Sequence, residues 1–331
     1  MDKPAKYGVE IMTTKTKTIV LVLALVIIIV VAGVIVWQQL YKTEKTSSAP
    51  LSIIDDYERN VTISNYPPER IVSLAPSCTE IIFALNLEDK LVGVDSYDYY
   101  PPEMQEKIDS LNITKVGQYA LISIETIVDL EPDLVIAAMR VQYQIIENLE
   151  AVGQPAMIIY PQNFDDVLAD ISLIGEATGY VKEAEALVAS IQEKAQEIAD
   201  KTQDAPKPRI YIEYFFNGGY QSYGSESFAD ELINKAGGKN IFTDSAGAYM
   251  ATSSEEVIVS NPEIIIIAKG AMSAACGLSP ETIRNRPGWS EIDAVQNNQI
   301  YEIDERLLLP GPAMIDGLES IARILHPEIF E

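Results

Sequence analysis

Beyond residue 50 the chain alternates short apolar runs with amphipathic stretches. Arg70–Leu74 (RIVSL), Leu91–Asp95 (LVGVD), Asp133–Ala137 (DLVIA) and Ala156–Tyr160 (AMIIY) read as buried strands. Between them, Thr79–Leu85, Ile124–Leu130 and Gln144–Gly153 place apolar residues at helical spacing, and the last ends on a glycine. The same order restarts with RIYIEY (209–214) and a helix through 228–238. A further helix, EIIIIA (263–268), IYEID (300–304) and a last helix through 317–325 follow, before Pro327. Strands alternating with helices predict a mostly parallel sheet covered on both faces. From Phe164 to Thr202 the strand signal stops. Leu187, Val188, Ile191, Ala195 and Ile198 hold one helical face, with Lys and Glu opposite. The pattern predicts an α/β fold of two Rossmann-like lobes, 51–163 and 205–331, joined by a single long helix over 164–204. Gly175 and Gly179 mark where that helix would divide in two.

The two halves also share a phrase. SIETIVDLEPDLVIA, Ser123–Ala137, returns as SSEEVIVSNPEIIIIA, Ser253–Ala268, at an offset of 130. Ser123 falls on Ser253, Glu125 on Glu255, Ile127 on Val257, Pro132 on Pro262, Asp133 on Glu263 and Ile136 on Ile266. Each copy predicts a helix, a turn and a strand, with a glutamate at the helix start. Common lobe architecture follows, and with it a ligand crevice between the lobes near the C-terminal ends of the strands.

Ahead of the lobes, Thr18–Trp37 holds 20 residues without a charge. At the helical rise of 1.5 Å per residue that is about 30 Å, the thickness of a bilayer core. It is longer than the apolar core of a signal peptide, and no Cys follows it that could carry a lipid. It is therefore expected to be an uncleaved transmembrane anchor. Lys3, Lys6, Lys15 and Lys17 precede it and only Lys42 and Lys45 follow closely, which puts residues 1–17 in the cytoplasm and residues 51–331 outside. Residues 38–50 form a short polar tether. Asn60 and Asn112 begin glycosylation sequons, in keeping with an outside location.

Charge and side-chain inventory narrow the chemistry. The chain carries 24 basic and 49 acidic residues, net −25. A polyanionic domain repels nucleic acid and anionic lipid surfaces. The one histidine, His326, precedes Pro327 at a helix end, and no HExxH, CxxC or P-loop sequence is present. Histidine-based nucleophilic catalysis, zinc hydrolysis, nucleotide hydrolysis and capture of a bare metal ion by histidines thus lack their residues. No pair of carboxylates is singled out, so the chain is not expected to be an enzyme. Cys78 and Cys276 sit in opposite halves and are read as free thiols. Of 17 Tyr, several lie at predicted strand ends or just beyond: Tyr97, Tyr99, Tyr100, Tyr119, Tyr214 and Tyr249, with Phe215 and Phe216. Such residues suit a large, partly apolar ligand.

Several stretches carry a family resemblance. Residues 67–103 (PPERIVSLAPSCTEIIFALNLEDKLVGVDSYDYYPPE), 115–137, AGGKNIF (236–242), NRPGWSEIDAVQNNQIYEID (285–304) and LHPEIF (325–330) resemble the helical-backbone (class III) substrate-binding proteins of ABC importers. These carry cobalamin, iron-siderophores or haem, and the opening stretch is most similar to the cobalamin-binding branch. The resemblance implies two lobes on a rigid helix, a metal-chelate ligand and no cofactor. Its implied partners are a permease dimer and a cytoplasmic ATPase. It implies ligand contact for Tyr97, Tyr119, Tyr214 and Tyr249, and for Glu305 and Arg306, which with Asp304 are an approximate counterpart of the family's acid–arginine pair near the last strand. It implies that Glu125 and Glu255 dock onto permease arginines, a role that suits carboxylates at helix N-termini. The chain departs from the family in Ala138-Met139-Arg140, where an aromatic is expected, in PGPA (310–313) in place of PGPR, and in lacking a lipid Cys. A sensory ectodomain without a permease is the alternative of another class.

Overall fold

One parallel and one mixed sheet, both built on β-branched strands, carry the chain. In the computed structural model, residues 49–96 and 102–330 are described; the candidate span Thr18–Trp37 and Tyr97 lie outside them. The first half comprises β1 (Leu51–Ile54), β2 (Asn60–Ile63), β3 (Ile71–Ser73), α1 (Pro76–Ala84), β4 (Leu91–Val94), α2 (Pro102–Ser110), β5 (Thr114–Lys115), β6 (Gly117–Gln118), β7 (Leu121–Ile122), α3 (Ile124–Asp129), β8 (Leu134–Ala138), α4 (Tyr143–Ala151) and β9 (Ala156–Ile159). Then come α5 (Phe164–Thr178), α6 (Val181–Thr202), β10 (Arg209–Phe216), β11 (Tyr220–Tyr223), α7 (Phe228–Lys235), β12 (Lys239–Asn240), β13 (Tyr249–Thr252), α8 (Ser254–Ser260), β14 (Ile264–Lys269), α9 (Ala271–Ala275), α10 (Pro280–Arg284), α11 (Asp293–Gln296), β15 (Ile300–Asp304) and α12 (Met314–Leu325). Among the described residues no helix is long and apolar enough to cross a membrane.

The first sheet runs β5-β4-β3-β8-β9 and is parallel throughout. The second runs β13-β11-β10-β14-β15, with β12 also on β10. Its β10, β14 and β15 are parallel, while β11 and β13 run antiparallel. Gly218 and Gly219 turn β10 back into β11, so this lobe gains an antiparallel edge that its apolar pattern does not announce.

Side-chain alternation along the strands sorts the core. Ile71, Leu134, Ile136 and Ala138 face one apolar cluster, and Val72, Leu74, Val135 and Ala137 face another. The first cluster continues through Phe164, Val167 and Ile171 of α5 and Ile191 and Ile198 of α6 to Ile210 and Ile212 of the second sheet. The connecting segment is thus part of the core. It is two helices and not one. Gly179 adopts φ +82° and caps α5 in a left-handed conformation, which ends the helix. Gly175 then lets α6 come close: a Cβ there would fall 2.3 Å from that of Ala184.

The repeated phrase is one device built twice. Ser123 and Ser253 cap α3 and α8 by accepting from the amides of Thr126 and Glu256, at 3.1 and 3.2 Å. After each helix the chain turns through a positive φ, at Glu131 (45°) and Asn261 (40°), into the proline. The acid behind the proline then braces the neighbouring central strand. Asp133 accepts from the amides of Glu69 and Arg70, at 2.8 and 3.0 Å, and Glu263 accepts from that of Arg209, at 2.9 Å. The arginines answer by donating to carbonyls in the turn, Arg70 to those of Leu130 and Glu131 and Arg209 to that of Asn261.

Gly175→Ala tests the helix contact. The added methyl favours the helix but meets Ala184, and overpacking of this kind costs about 1–3 kcal/mol. Urea denaturation is expected to show a lower midpoint; an unchanged one would mean that α5 and α6 can part without loss.

Candidate functional site

In a parallel sheet, a helix that precedes a strand begins at the C-terminal end of the strands. The first turns of α3 and α8, the ends of β3, β8, β9, β10, β14 and β15, and the residues just beyond them therefore share the rims of the crevice.

On the C-terminal rim the register of β10 against β11 slips between Glu213 and Phe215, which makes Tyr214 the extra residue of a bulge. Its ring packs against Tyr223 at 5.1 Å and Tyr249 at 5.8 Å, and those two lie 5.7 Å apart. Tyr223 and Tyr249 are paired across β11 and β13. Burial raises all three phenols above the ordinary range, and Glu305 pushes Tyr223 and Tyr249 further. Tyr249 is still 61 % exposed, so a face of the cluster is open to a ligand. Glu305 itself lies flat over Gly270, where a Cβ would come within 1.9 Å of its Oε1. Burial raises the Glu305 carboxyl, against a hydrogen bond from the amide of Ala271 that lowers it. The predicted Tyr214, Tyr249 and Glu305 are thereby brought together. Tyr223 joins them unforeseen, because only its pairing with Tyr249 reveals it.

Of the expected acid–arginine group, Arg306 folds onto Asp304, with Nε–Oδ1 at 2.9 Å and Nη2–Oδ2 at 2.6 Å. Burial would raise Asp304, but Arg306 outweighs it and holds the carboxyl below its usual range. Glu80 on α1 faces this pair from the other lobe. Burial lifts its carboxyl to about 8, against the pull of Arg306 and with the push of Asp304 and Asp95. Glu80 also touches the PGPA turn, where a Cβ on Gly311 would lie 2.9 Å from its Oε2. Beside this contact a cavity of about 560 Å³ opens between α1, α2 and the start of α12. Phe83, Met104 and Ala313 line it together with Glu80, Glu103 and Asp316, and none of the predicted site residues does.

On the N-terminal rim Tyr119 sits at the turn of the β6–β7 hairpin with φ +56°, half exposed. The fully buried Gln142 fixes this turn. Its Nε2 donates to the carbonyls of Leu74 (2.6 Å) and Tyr119 (3.3 Å), and its Oε1 accepts from the amide of Ala138 (3.1 Å). One amide side chain thus ties the ends of β3 and β8 to the tyrosine loop. Tyr119 precedes Glu125 by six residues, as Tyr249 precedes Glu255, so the repeat extends to the aromatic positions.

Glu125 and Glu255 both stand in the first turn of their helices, exposed, and neither has an ion-pair partner among the described residues. Glu256 is occupied differently. It closes a capping box on Ser253 and accepts from Thr252, and those hydrogen bonds lower its carboxyl. Behind α8, Trp289 donates to Ser254 Oγ at 2.8 Å. Trp289 also stacks on Arg286, whose guanidinium grips the fully buried Glu213 through two bonds of 2.6 and 2.7 Å. The NRPGW sequence is therefore a brace between β10 and α8. Both cysteines are free, Cys78 buried and Cys276 partly so.

Two α/β lobes with aromatic rims and paired acidic helix starts define a solute-binding protein, and the comparisons agree. The periplasmic binding protein family model matches residues 71–307. An uncharacterized ABC transporter substrate-binding lipoprotein of Bacillus subtilis is 32 % identical over 298 residues, covering 87 % of this chain and 89 % of that protein. A cobalamin-binding protein of Halobacterium salinarum is 26 % identical over 293 residues, 86 % of this chain and 76 % of that one. Among solved structures, the periplasmic haem-binding protein of Roseiflexus in apo form superposes with a TM-score of 0.69 at 26 % identity, covering 79 % of this chain and 99 % of that one. The chain belongs to the periplasmic binding protein family. It is a solute carrier of the kind that serves ABC transporters, and not an enzyme.

The raised carboxyl of Glu80 predicts a pH dependence. Neutral in the folded chain up to about pH 8, it ionises near its ordinary value of 4.5 once unfolded. Its contribution is full below pH 4.5 and declines as pH rises towards 8. In urea titrations between pH 5 and pH 8, Glu80→Gln is expected to flatten the fall in stability; identical slopes would show that Glu80 ionises freely in the folded chain.

Proposed function

We propose that this chain is the extracellular substrate-binding component of an ABC importer for cobalamin or another corrinoid, held at the membrane by Thr18–Trp37. The observation that carries the ligand class is the C-terminal rim. Tyr214, Tyr223 and Tyr249 offer stacked area to a flat, partly apolar chelate, and Glu305 offers an acceptor to amide hydrogens at its edge. Arg306 is held by Asp304, so this rim favours an amide-rich ligand over one that presents carboxylates. The cobalamin-binding relative supports the same ligand. Haem or a ferric siderophore is the second reading, favoured by the likeness to a haem-binding structure.

Delivery follows from the paired helix starts. Glu125 and Glu255, free of internal partners among the described residues, would meet arginine forks on the two halves of a permease dimer, and a cytoplasmic ATPase would drive release. The repeat supplies two equivalent acids to a two-fold partner.

Calorimetric titration of the full-length protein in mild detergent with cyanocobalamin, a ferric hydroxamate and haemin tests the ligand. Tight one-to-one binding of the corrinoid is expected, and a response to an iron chelate alone would change the cargo. For docking, replacing Glu125 and Glu255 together by alanine is expected to leave affinity intact while uptake by cells falls about tenfold or more. Unchanged uptake would refute the docking role.

A further inference from the structure

The N-terminal rim holds a constellation that stacking and docking leave unused. Arg140 stands two residues beyond the end of β8 and is exposed. Met139 before it adopts φ +84°, a conformation that a non-glycine residue keeps only where its surroundings impose it. Gln142 closes the same turn, with three side-chain bonds to Leu74, Ala138 and Tyr119. The adjacent strand β9 ends at Ile159, so Tyr160 emerges at the same end of the sheet. The β1–β2 hairpin is laid against that strand. The amide of Asp56 donates to the carbonyl of Ile158 at 3.3 Å, and the amide of Tyr160 donates to Asp56 Oδ2 at 2.5 Å. This brings the ring of Tyr57 to 5.1 Å from Tyr143 and 5.8 Å from Tyr160.

Three phenols and a guanidinium therefore gather beside the ends of β8 and β9. None of the three hydroxyls has a hydrogen-bond partner among the described residues, and Arg140 has no ion pair there. The other cation nearby, Arg59, is engaged by Asp55 and Glu150. Arg140 is near enough to Tyr57 to favour its ionised form, against the burial and the neighbouring Tyr160 that raise it.

We propose that Arg140, with the hydroxyls of Tyr57, Tyr143 and Tyr160, forms a subsite for an anionic group, phosphate or carboxylate, carried on the periphery of the ligand; this rests on the reading of the crevice as a metal-chelate site. A guanidinium fork and phenolic O–H donors match the oxygens of such a group, and charge-assisted bonds of this kind are the strong ones. The opposite rim carries Glu305 and no unengaged arginine among the described residues. The two rims are thus chemically unlike, and a ligand with one anionic side would be held in one orientation.

Cyanocobalamin carries a phosphodiester; dicyanocobinamide lacks it and keeps the amide-bearing corrin. Full-length wild type, Arg140→Gln and Tyr57→Phe are titrated with both and with haemin, which carries carboxylates. Wild type is expected to bind cyanocobalamin more tightly than dicyanocobinamide. Arg140→Gln should lower cyanocobalamin affinity about tenfold or more and leave dicyanocobinamide unchanged, and Tyr57→Phe should do the same to a smaller degree. Equal loss for both corrinoids, or no loss, overturns the subsite while the corrinoid reading stands. If wild type binds haemin and no corrinoid, the cargo changes, and a selective loss of haemin in Arg140→Gln supports the subsite where an unchanged affinity overturns it. Silence with all three ligands overturns the corrinoid reading and the subsite with it.

Discussion

One buried ion pair sits where the two functional parts of the C-terminal lobe meet. Glu213 is fully enclosed, and Arg286 reaches it with both guanidinium nitrogens while Tyr211 donates a third bond at 2.9 Å. A carboxylate in such a place is costly unless every lone pair is met, so the strand end has little freedom. Tyr214 follows directly and inherits that fixity. On the other side of the same arginine, Trp289 holds Ser254 and with it the first turn that presents Glu255. The aromatic rim and the exposed Glu255 are therefore referred to one anchor.

Much of the architecture was legible because it is local. A proline followed by an acid and a run of apolar residues, met twice at one offset, marks turn and strand without outside help, and the glutamate ahead of each marks the helix start. Gly179 was legible as a break for the same reason, since a left-handed stop is a property of one residue. What stayed hidden depends on partners far along the chain. Tyr223 enters the site through its pairing with Tyr249, and Tyr214 is aimed by a register slip that exists only once β11 lies beside β10. Gln142 reads as an ordinary polar helix residue until its amide is seen joining Leu74, Ala138 and Tyr119. Which of the two acids before Arg306 takes its guanidinium is likewise settled only in space, where Asp304 does.

Charge is distributed with the same economy. The chain is strongly acidic, yet the acids that matter are set apart by their surroundings. Asp133 and Glu263 are consumed in bracing strands, and Glu256 in a cap. Glu80 and Glu305 are pushed towards neutrality by burial. Glu125 and Glu255, the matched pair at the two helix starts, are left out in water and remain available to a cation from another molecule.

The apolar cluster that runs unbroken from the first sheet through α5 and α6 into the second has a kinetic meaning for the transporter. A joint packed that tightly would resist hinge opening, and the spacing of the two exposed glutamates would then change little when a ligand binds. If the chain docks through these two acids as proposed, the empty carrier would present nearly the same footprint as the loaded one and compete with it for the permease. Raising the amount of carrier would saturate uptake and then slow it, unless cargo is abundant enough to keep most copies full.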